Sequence, residues 1–341
     1  MTPPPLAVSM GDPAGVGLEI AVRTWATRGA DTPPYVLLAD AHAVQRAMTR
    51  AGVAGAPVEI KPDAWAQAAQ WFHDGLPVAH QPMALPETPG APTPANGPAI
   101  IAAIDAAVAA VRAGDAAAVV TLPIAKSTLY AAGFGYPGHT EYVAHLCADM
   151  PMSGPRGPVM LLATGDIRVA LATIHVPLTA VAQLLTRETV DRTARVVLHA
   201  LMRDFAIARP RLVLAGLNPH AGEQGALGRE EIEIIAPVAA ALRAEGHDVA
   251  GPLPADTLFH AEARARYDAV IAMYHDQGLI PIKTIDFWGA ANVTLGLPII
   301  RTSPDHGTGF DIAGRGVAHT GSFMAALRTA SAMAQRRARS E

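Results

Sequence analysis

Short apolar runs alternate with longer stretches of helical period along this chain. Runs of strand length lie at 5–10, 35–39, 117–122, 158–163, 167–174, 211–217, 268–274 and 297–302. Helical periodicity falls near 16–28, 41–52, 97–113, 140–149, 178–207, 229–245 and 320–337. Most of the strand runs are apolar throughout, the pattern of strands buried on both faces. The alternation therefore predicts an α/β architecture with largely parallel strands. A turn-rich stretch, "PMALPETPGAPTPANGP" at 82–98, reads as a surface connection, and no internal repeat is visible.

In open α/β sheets, ligands bind outside the carboxyl ends of the strands, so the residues just past each run carry the chemistry. His175 follows the run 167–174, His220 follows 211–217 in "GLNPHAGEQG", and His275 follows 268–274 in "MYHDQG". Of the 13 histidines these share the placement most clearly. Three imidazoles at one sheet edge would make an open metal site with room for substrate. Each taken singly reads as a hydrogen-bonded loop histidine rather than a ligand, and no short-range motif such as H-E-x-x-H is present. "GYPGHTEYVAHL" puts His139 and Thr140 at a helix start, which is either an anion site or an ordinary cap. Lys283, Asn292 and Arg301 are evenly spaced donors of the kind gathered around a phosphate. The glycines of "SMGDPAGVGLEI" fail the dinucleotide fingerprint, because Ile20 stands where the third glycine belongs. They read instead as permitting a tight backbone turn.

Composition narrows the classes. At 341 residues the chain suits two lobes, and half of its residues are apolar while aromatics are 5%. A formal net charge of −4 without a basic stripe argues against nucleic acid. "RRAR" at 336–339 reads as a solvated helix end. The Ala-rich segment 99–119 is interrupted by Asp105, Arg112 and Asp115 and reads as a buried helix rather than a membrane span. The single Cys147 and an opening "MTPPPLAVSM" without a basic or apolar leader point to the cytoplasm.

Five blocks in order carry a resemblance over about residues 6–330. They are "GDPAGVGLE", "PIAKSTLYAAGFGYPGHTE", "NPHAGEQGALGREE", "PADTLF" and "MYHDQGLIPIK…NVTLGLPIIRTSPDHGTGFDIAG". The chain resembles the 4-hydroxythreonine-4-phosphate dehydrogenase family of pyridoxal phosphate biosynthesis. The resemblance implies a two-lobed α/β/α fold like that of isocitrate and isopropylmalate dehydrogenases, with the active site in an interlobe cleft at a homodimer interface. It implies lobes of 1–136 plus 305–341 and of 137–304. It further implies a divalent metal (Zn, Co or Mg) held by His175, His220 and His275 from both subunits. Substrate contacts carry over to His139, Thr140, Lys283, Asn292 and Arg301. NAD or NADP contacts carry over to His306, Gly307 and Thr308 in "HGTGFDIAGRG". Lys126 and Asp256 match positions facing the cleft and are candidates for moving a proton. The implied reaction is oxidation of 4-phosphooxy-L-threonine at its 3-hydroxyl, followed by decarboxylation to 3-amino-2-oxopropyl phosphate. The alternatives within the superfamily are a dehydrogenase of a threonate or erythronate 4-phosphate, or of a cis-dihydrodiol carboxylate. A metal hydrolase without nicotinamide is the reading from a different class.

Overall fold

The computed structural model describes residues 4–340, so the first three residues of the opening read for a leader lie outside the described residues. The chain divides into two compact units, Met1–Met150 with Pro298–Gln335, and Pro151–Leu297 with Arg336–Glu341.

The strands of the first unit are β1 (Leu6–Ser9), β2 (Tyr35–Ala39), β3 (Pro57–Glu59), β4 (Leu76–His80), β5 (Val119–Thr121) and β12 (Arg301–Pro304), ordered β3-β4-β2-β1-β5-β12. Every pairing in this unit is parallel, with Ala7 opposite both Val36 and Val119, and Arg301 opposite Val119. β1, β2 and β5 are buried along their whole length, as their uninterrupted apolar runs require. The helix Gly97–Ala113 packs on β1, β2 and β5 and buries Ile100, Ala103, Ile104, Ala107 and Val108. Pro94–Ala113 is long and apolar enough to cross a membrane, yet half of it is buried in this packing. The last strand is displaced from the expected 297–302 to Arg301–Pro304. Pro298 has no N–H to donate to a ladder, so pairing starts beyond it.

The second unit holds β6 (Val159–Thr164), β7 (Ile167–Leu171), β8 (Arg211–Ala215), β9 (Asp248–Leu253), β10 (Ala269–Ala272) and β11 (Ala291–Leu295), ordered β11-β6-β7-β10-β8-β9. β7, β10, β8 and β9 run parallel, whereas β6 is antiparallel to both β7 and β11. The departure from a parallel sheet has a local cause. Gly165 and Asp166 are all that joins β6 to β7, and Gly165 takes φ +53°. A two-residue connection can only return the chain antiparallel. Strands β3, β4, β9 and β11 were not visible as apolar runs. β9 carries Gly251 and Pro252, and it lies at the edge of its order, where a missing donor is tolerated.

The helical stretch expected at 178–207 is broken into Leu178–Leu184 and Arg187–Arg203, with the Thr186 hydroxyl capping the second through the Thr189 N–H. A helix the pattern did not announce, His275–Ile285, starts where β10 ends and contains Pro281. The C-terminal "RRAR" is not simply solvated. Arg337 Nε donates to the buried Asp204 carboxylate at 2.7 Å, and Arg336 reaches the Asp204 carbonyl.

Candidate active site

Beside β5 and β12, the first unit gathers its candidate residues around a buried cation. Arg301 opens β12 and is 3% exposed. Its Nη2 donates to Thr121 Oγ1, at the last residue of β5, at 2.5 Å. Burial pulls the guanidinium down from its ordinary value to about 10, while the nearby Glu141 carboxylate works in the opposite direction. His139 begins the helix His139–Leu146. Its imidazole is held well below its usual value, first by burial and then by the Arg301 charge. His139 is therefore neutral at physiological pH. Its buried Nε2 has no hydrogen-bond partner among the described residues. Thr140 follows on the first turn of the same helix. Gly138, the residue before it, is extended, and the place a Cβ would take lies 3.5 Å from Lys126 Cε and 3.6 Å from Glu141 Oε2. Lys126, exposed at the start of the helix Lys126–Ala131, thus stands beside this cluster. A cation, a neutral imidazole with an open nitrogen, a hydroxyl and a second cation are donors suited to a phosphate or carboxylate.

The loop with His306, Gly307 and Thr308 also belongs to the first unit, and it is exposed at His306 and Gly307. It is fixed from beneath by the glycine turn that failed the fingerprint. Val16 N donates to the Thr308 carbonyl at 2.8 Å. A Cβ on Gly15 would sit 2.6 Å from that same oxygen. The glycine here allows close backbone approach, as a side chain would not. Further along, the buried Glu19 accepts from the N–H groups of Gly314 and Ala318, and Arg23 donates to the carbonyls of Gly316 and Ala318. Asp12, in the same turn, is 1% exposed and is raised by burial, against hydrogen bonds from Ala14 N–H and Thr128 that act to lower it.

In the second unit His175 and His275 come together, with ring centroids 5.6 Å apart and planes tilted by 41°. Both line a cavity of about 240 Å³ with Thr173, Tyr274 and Asp276. His175 takes φ +43°, a conformation L residues adopt reluctantly. His275 Nδ1 is 2.7 Å from Asp276 Oδ1, which sets the direction of the ring. His220 is exposed on the segment Pro219–Gly225, where His220, Ala221, Gly222, Glu223 and Gln224 all have left-handed φ/ψ. Among the described residues, no group of three or more His, Cys, Asp or Glu is arranged to hold a metal. The pair His175 and His275 has the donor chemistry of two metal ligands, and His220 stands apart from it on its own loop. Lys283 lies on the helix His275–Ile285 with Nζ 5.2 Å from the Phe287 ring centroid. Asn292 is on β11, with a buried Oδ1 that has no partner among the described residues. Asp256 is exposed and lines a second, more apolar cavity of about 410 Å³ with Phe259, Gln277 and Ile280.

Residues 31–330 match the family model described as pyridoxal phosphate biosynthetic protein PdxA. The chain belongs to this family. It is similar to the 4-hydroxythreonine-4-phosphate dehydrogenase of Caulobacter vibrioides, with 53% identity over 338 residues covering 99% of both chains. Among solved structures it is similar to the 4-hydroxythreonine-4-phosphate dehydrogenase of Klebsiella pneumoniae. There the identity is 37%, the coverage 97% of this chain and 100% of that one, and the TM-score 0.84. A terephthalate 1,2-cis-dihydrodiol dehydrogenase from Burkholderia xenovorans is 33% identical, with a TM-score of 0.62 and coverage of 96% and 98%.

Sequence reasoning missed several residues that this geometry brings in. Thr121 meets Arg301 from 180 positions away, and nothing in a threonine ending an apolar run announces that. Glu19 was legible in principle, as an acid on the buried face of an otherwise apolar helix start.

Proposed function

We propose that the protein is a PdxA-type dehydrogenase that uses NAD or NADP to oxidise 4-phosphooxy-L-threonine at its 3-hydroxyl. The product then decarboxylates to 3-amino-2-oxopropyl phosphate, a step of pyridoxal 5'-phosphate biosynthesis. The observation that carries this reading is end-to-end likeness, 53% identity over 99% of both chains, to a protein named for that activity. The cation site of the first unit supports it. Arg301, its guanidinium directed by Thr121, and the neutral His139 bind the substrate phosphate, with Thr140 as a further donor. The phosphate lies away from the reacting carbon, so its binding energy serves to orient the alcohol. Lys283 and Asn292 are further residues proposed to contact substrate. The loop of His306, Gly307 and Thr308, tied to the Val16 N–H through the Thr308 carbonyl, is proposed to receive the nicotinamide cofactor. Lys126 and Asp256 are the residues proposed to take the proton from the 3-hydroxyl as it is oxidised and to supply one to the carbon that loses CO₂.

His175, His220 and His275 are the proposed ligands of a divalent ion (zinc, cobalt or magnesium). Such an ion, when bound, lowers the pKa of a coordinated hydroxyl and stabilises negative charge next to a carbonyl. Imidazole donors favour zinc or cobalt over magnesium. We further propose a homodimer whose subunits share these ligands. Val176, Leu178, Ile280, Ile285, Phe287 and Trp288 of the second unit are exposed apolar side chains that such an interface would cover. The working compartment is taken to be the reducing cytoplasm, since the sequence holds one cysteine and so no internal disulfide.

The dihydrodiol reading is favoured by likeness to the Burkholderia enzyme, but a buried arginine beside a neutral histidine suits a phosphate at least as well as a carboxylate. One assay separates them. Absorbance at 340 nm is followed with NAD and NADP on 4-phosphooxy-L-threonine, threonate and erythronate 4-phosphates and a cis-dihydrodiol carboxylate, each with zinc, cobalt or magnesium. NADH formation with CO₂ release from 4-phosphooxy-L-threonine is expected. Turnover of the dihydrodiol alone would overturn the proposal, and hydrolysis without reduced nicotinamide would move the protein out of the class.

A further inference from the structure

The strands whose ends deliver His175, His220 and His275 are neighbours in the order β7-β10-β8. Beyond the last ladder bonds their backbones are tied by side chains rather than by each other. Thr173 Oγ1, two residues before His175, donates to the Met273 carbonyl at 2.7 Å. The Met273 N–H donates to Gln277 Oε1 at 2.7 Å, and Gln277 Nε2 donates to the Gly216 carbonyl at 2.7 Å. One amide thus spans the ends of β10 and β8, and its two faces are told apart because one meets an N–H and the other a C=O.

The chain of contacts continues towards His220. The Asn218 N–H donates to Glu231 Oε1 at 2.7 Å, and Asn218 Nδ2 donates to Glu231 Oε2 at 3.0 Å and Glu230 Oε2 at 2.7 Å. Glu231 is 2% exposed. Its carboxylate also fills the place beside Gly222, where a Cβ would lie 2.5 Å from Oε2. Left-handed backbone is unfavourable for L residues. A run of it survives only where the surroundings over-determine it. Glu231 and Asn218 are that surrounding for the turn that carries His220.

We propose that Gln277, with Thr173 and Glu231 at its flanks, is a positioning clasp that holds in place the strand ends on which each subunit presents its histidines, and that the affinity of the histidine site for a divalent ion depends on it. The proposal rests on reading the three histidines as metal ligands. None of the clasp residues needs to touch substrate or metal; they act through the backbone that carries the ligands.

The test is a titration of the metal-stripped full-length protein with Co²⁺ alone, read by its visible absorption spectrum and by chelator competition, with thermal unfolding in parallel. Gln277→Met keeps length and volume but removes both hydrogen bonds. Thr173→Val removes the third contact from the other side of Met273 and guards against a Gln277 variant that does not fold. His275→Ala serves as the ligand control. The expected result for both clasp variants is Co²⁺ affinity lower by about 10- to 100-fold with a changed visible spectrum and a thermal midpoint within a few degrees of wild type. Wild-type affinity that requires His275 but is matched by Gln277→Met and Thr173→Val overturns the clasp alone. Affinity that His275→Ala leaves unchanged overturns the metal reading, and the clasp with it.

Discussion

Arg301→Met tests whether the buried cation is there for a ligand or for the fold. The substitution keeps an unbranched side chain of similar reach and removes the charge and the hydrogen bond to Thr121 Oγ1. Holding the guanidinium in its site lowers its pKa to about 10, which corresponds to on the order of 3 kcal/mol against the charged form. Losing the Thr121 contact costs about 1–3 kcal/mol in return, because a buried hydroxyl is left to find another partner. The free protein should therefore be no less stable without the arginine, and its thermal midpoint should hold or rise by a few degrees. Binding should move the other way. Removing one partner from a buried charge pair costs about 2–5 kcal/mol, which is about 30-fold to several thousand-fold in the KM for the phosphorylated substrate. The assay pairs calorimetric melting with NADH production over a substrate titration. A KM within about threefold of wild type would refute the phosphate role. A midpoint lowered by more than about 5 °C would refute the claim that the cation is a burden on the free protein.

The other predictions concern titration and stability. His139 is neutral in the fold, so below pH 6.5 only the unfolded chain takes up its proton, and stability falls as the pH drops through that range by up to about 1.4 kcal/mol per pH unit. His139→Gln should lose this share of the pH dependence, seen as a smaller difference in stability between pH 7 and pH 5 in urea unfolding; equal slopes would show that His139 protonates in the folded protein. Glu87 has a fully buried carboxylate that receives Arg46 and Arg50, whose side chains are 39% and 32% exposed. Glu87→Gln should cost about 2 kcal/mol, less than a wholly buried pair would, because water reaches both cations. A loss under about 0.5 kcal/mol in the same unfolding experiment would refute that weighting.

The sequence made the buried parallel strands legible because both faces of such a strand are covered, and β1, β2, β8 and β10 accordingly read as unbroken apolar runs. It hid β9, which sits at an edge and tolerates Gly251 and Pro252. It also hid the helix His275–Ile285, since Pro281 and Gly278 read as turn residues and only packing overrides them. At the site, the motifs named Arg301, His139 and Thr140, and the fold does gather these in one unit around a shared charge. It likewise brings His175 and His275 side by side. What local pattern cannot carry is the identity of partners far along the chain. Gln277 is one more polar residue in "MYHDQG", and its meaning depends on Gly216, 61 positions away. Nor does any residue type announce a left-handed backbone at Ala221, Glu223 and Gln224, where glycine would have been the expected choice.

That left-handed turn cannot stand by itself. Its residues occupy a conformation that is unfavourable on its own, so a fragment spanning 216–231 has no reason to adopt it. The turn is held by Glu231, whose carboxylate meets Asn218 and Gly222 only while its helical segment is packed. The placing of His220 is therefore set by the packing of a residue further along the chain, and not by the sequence of its own loop.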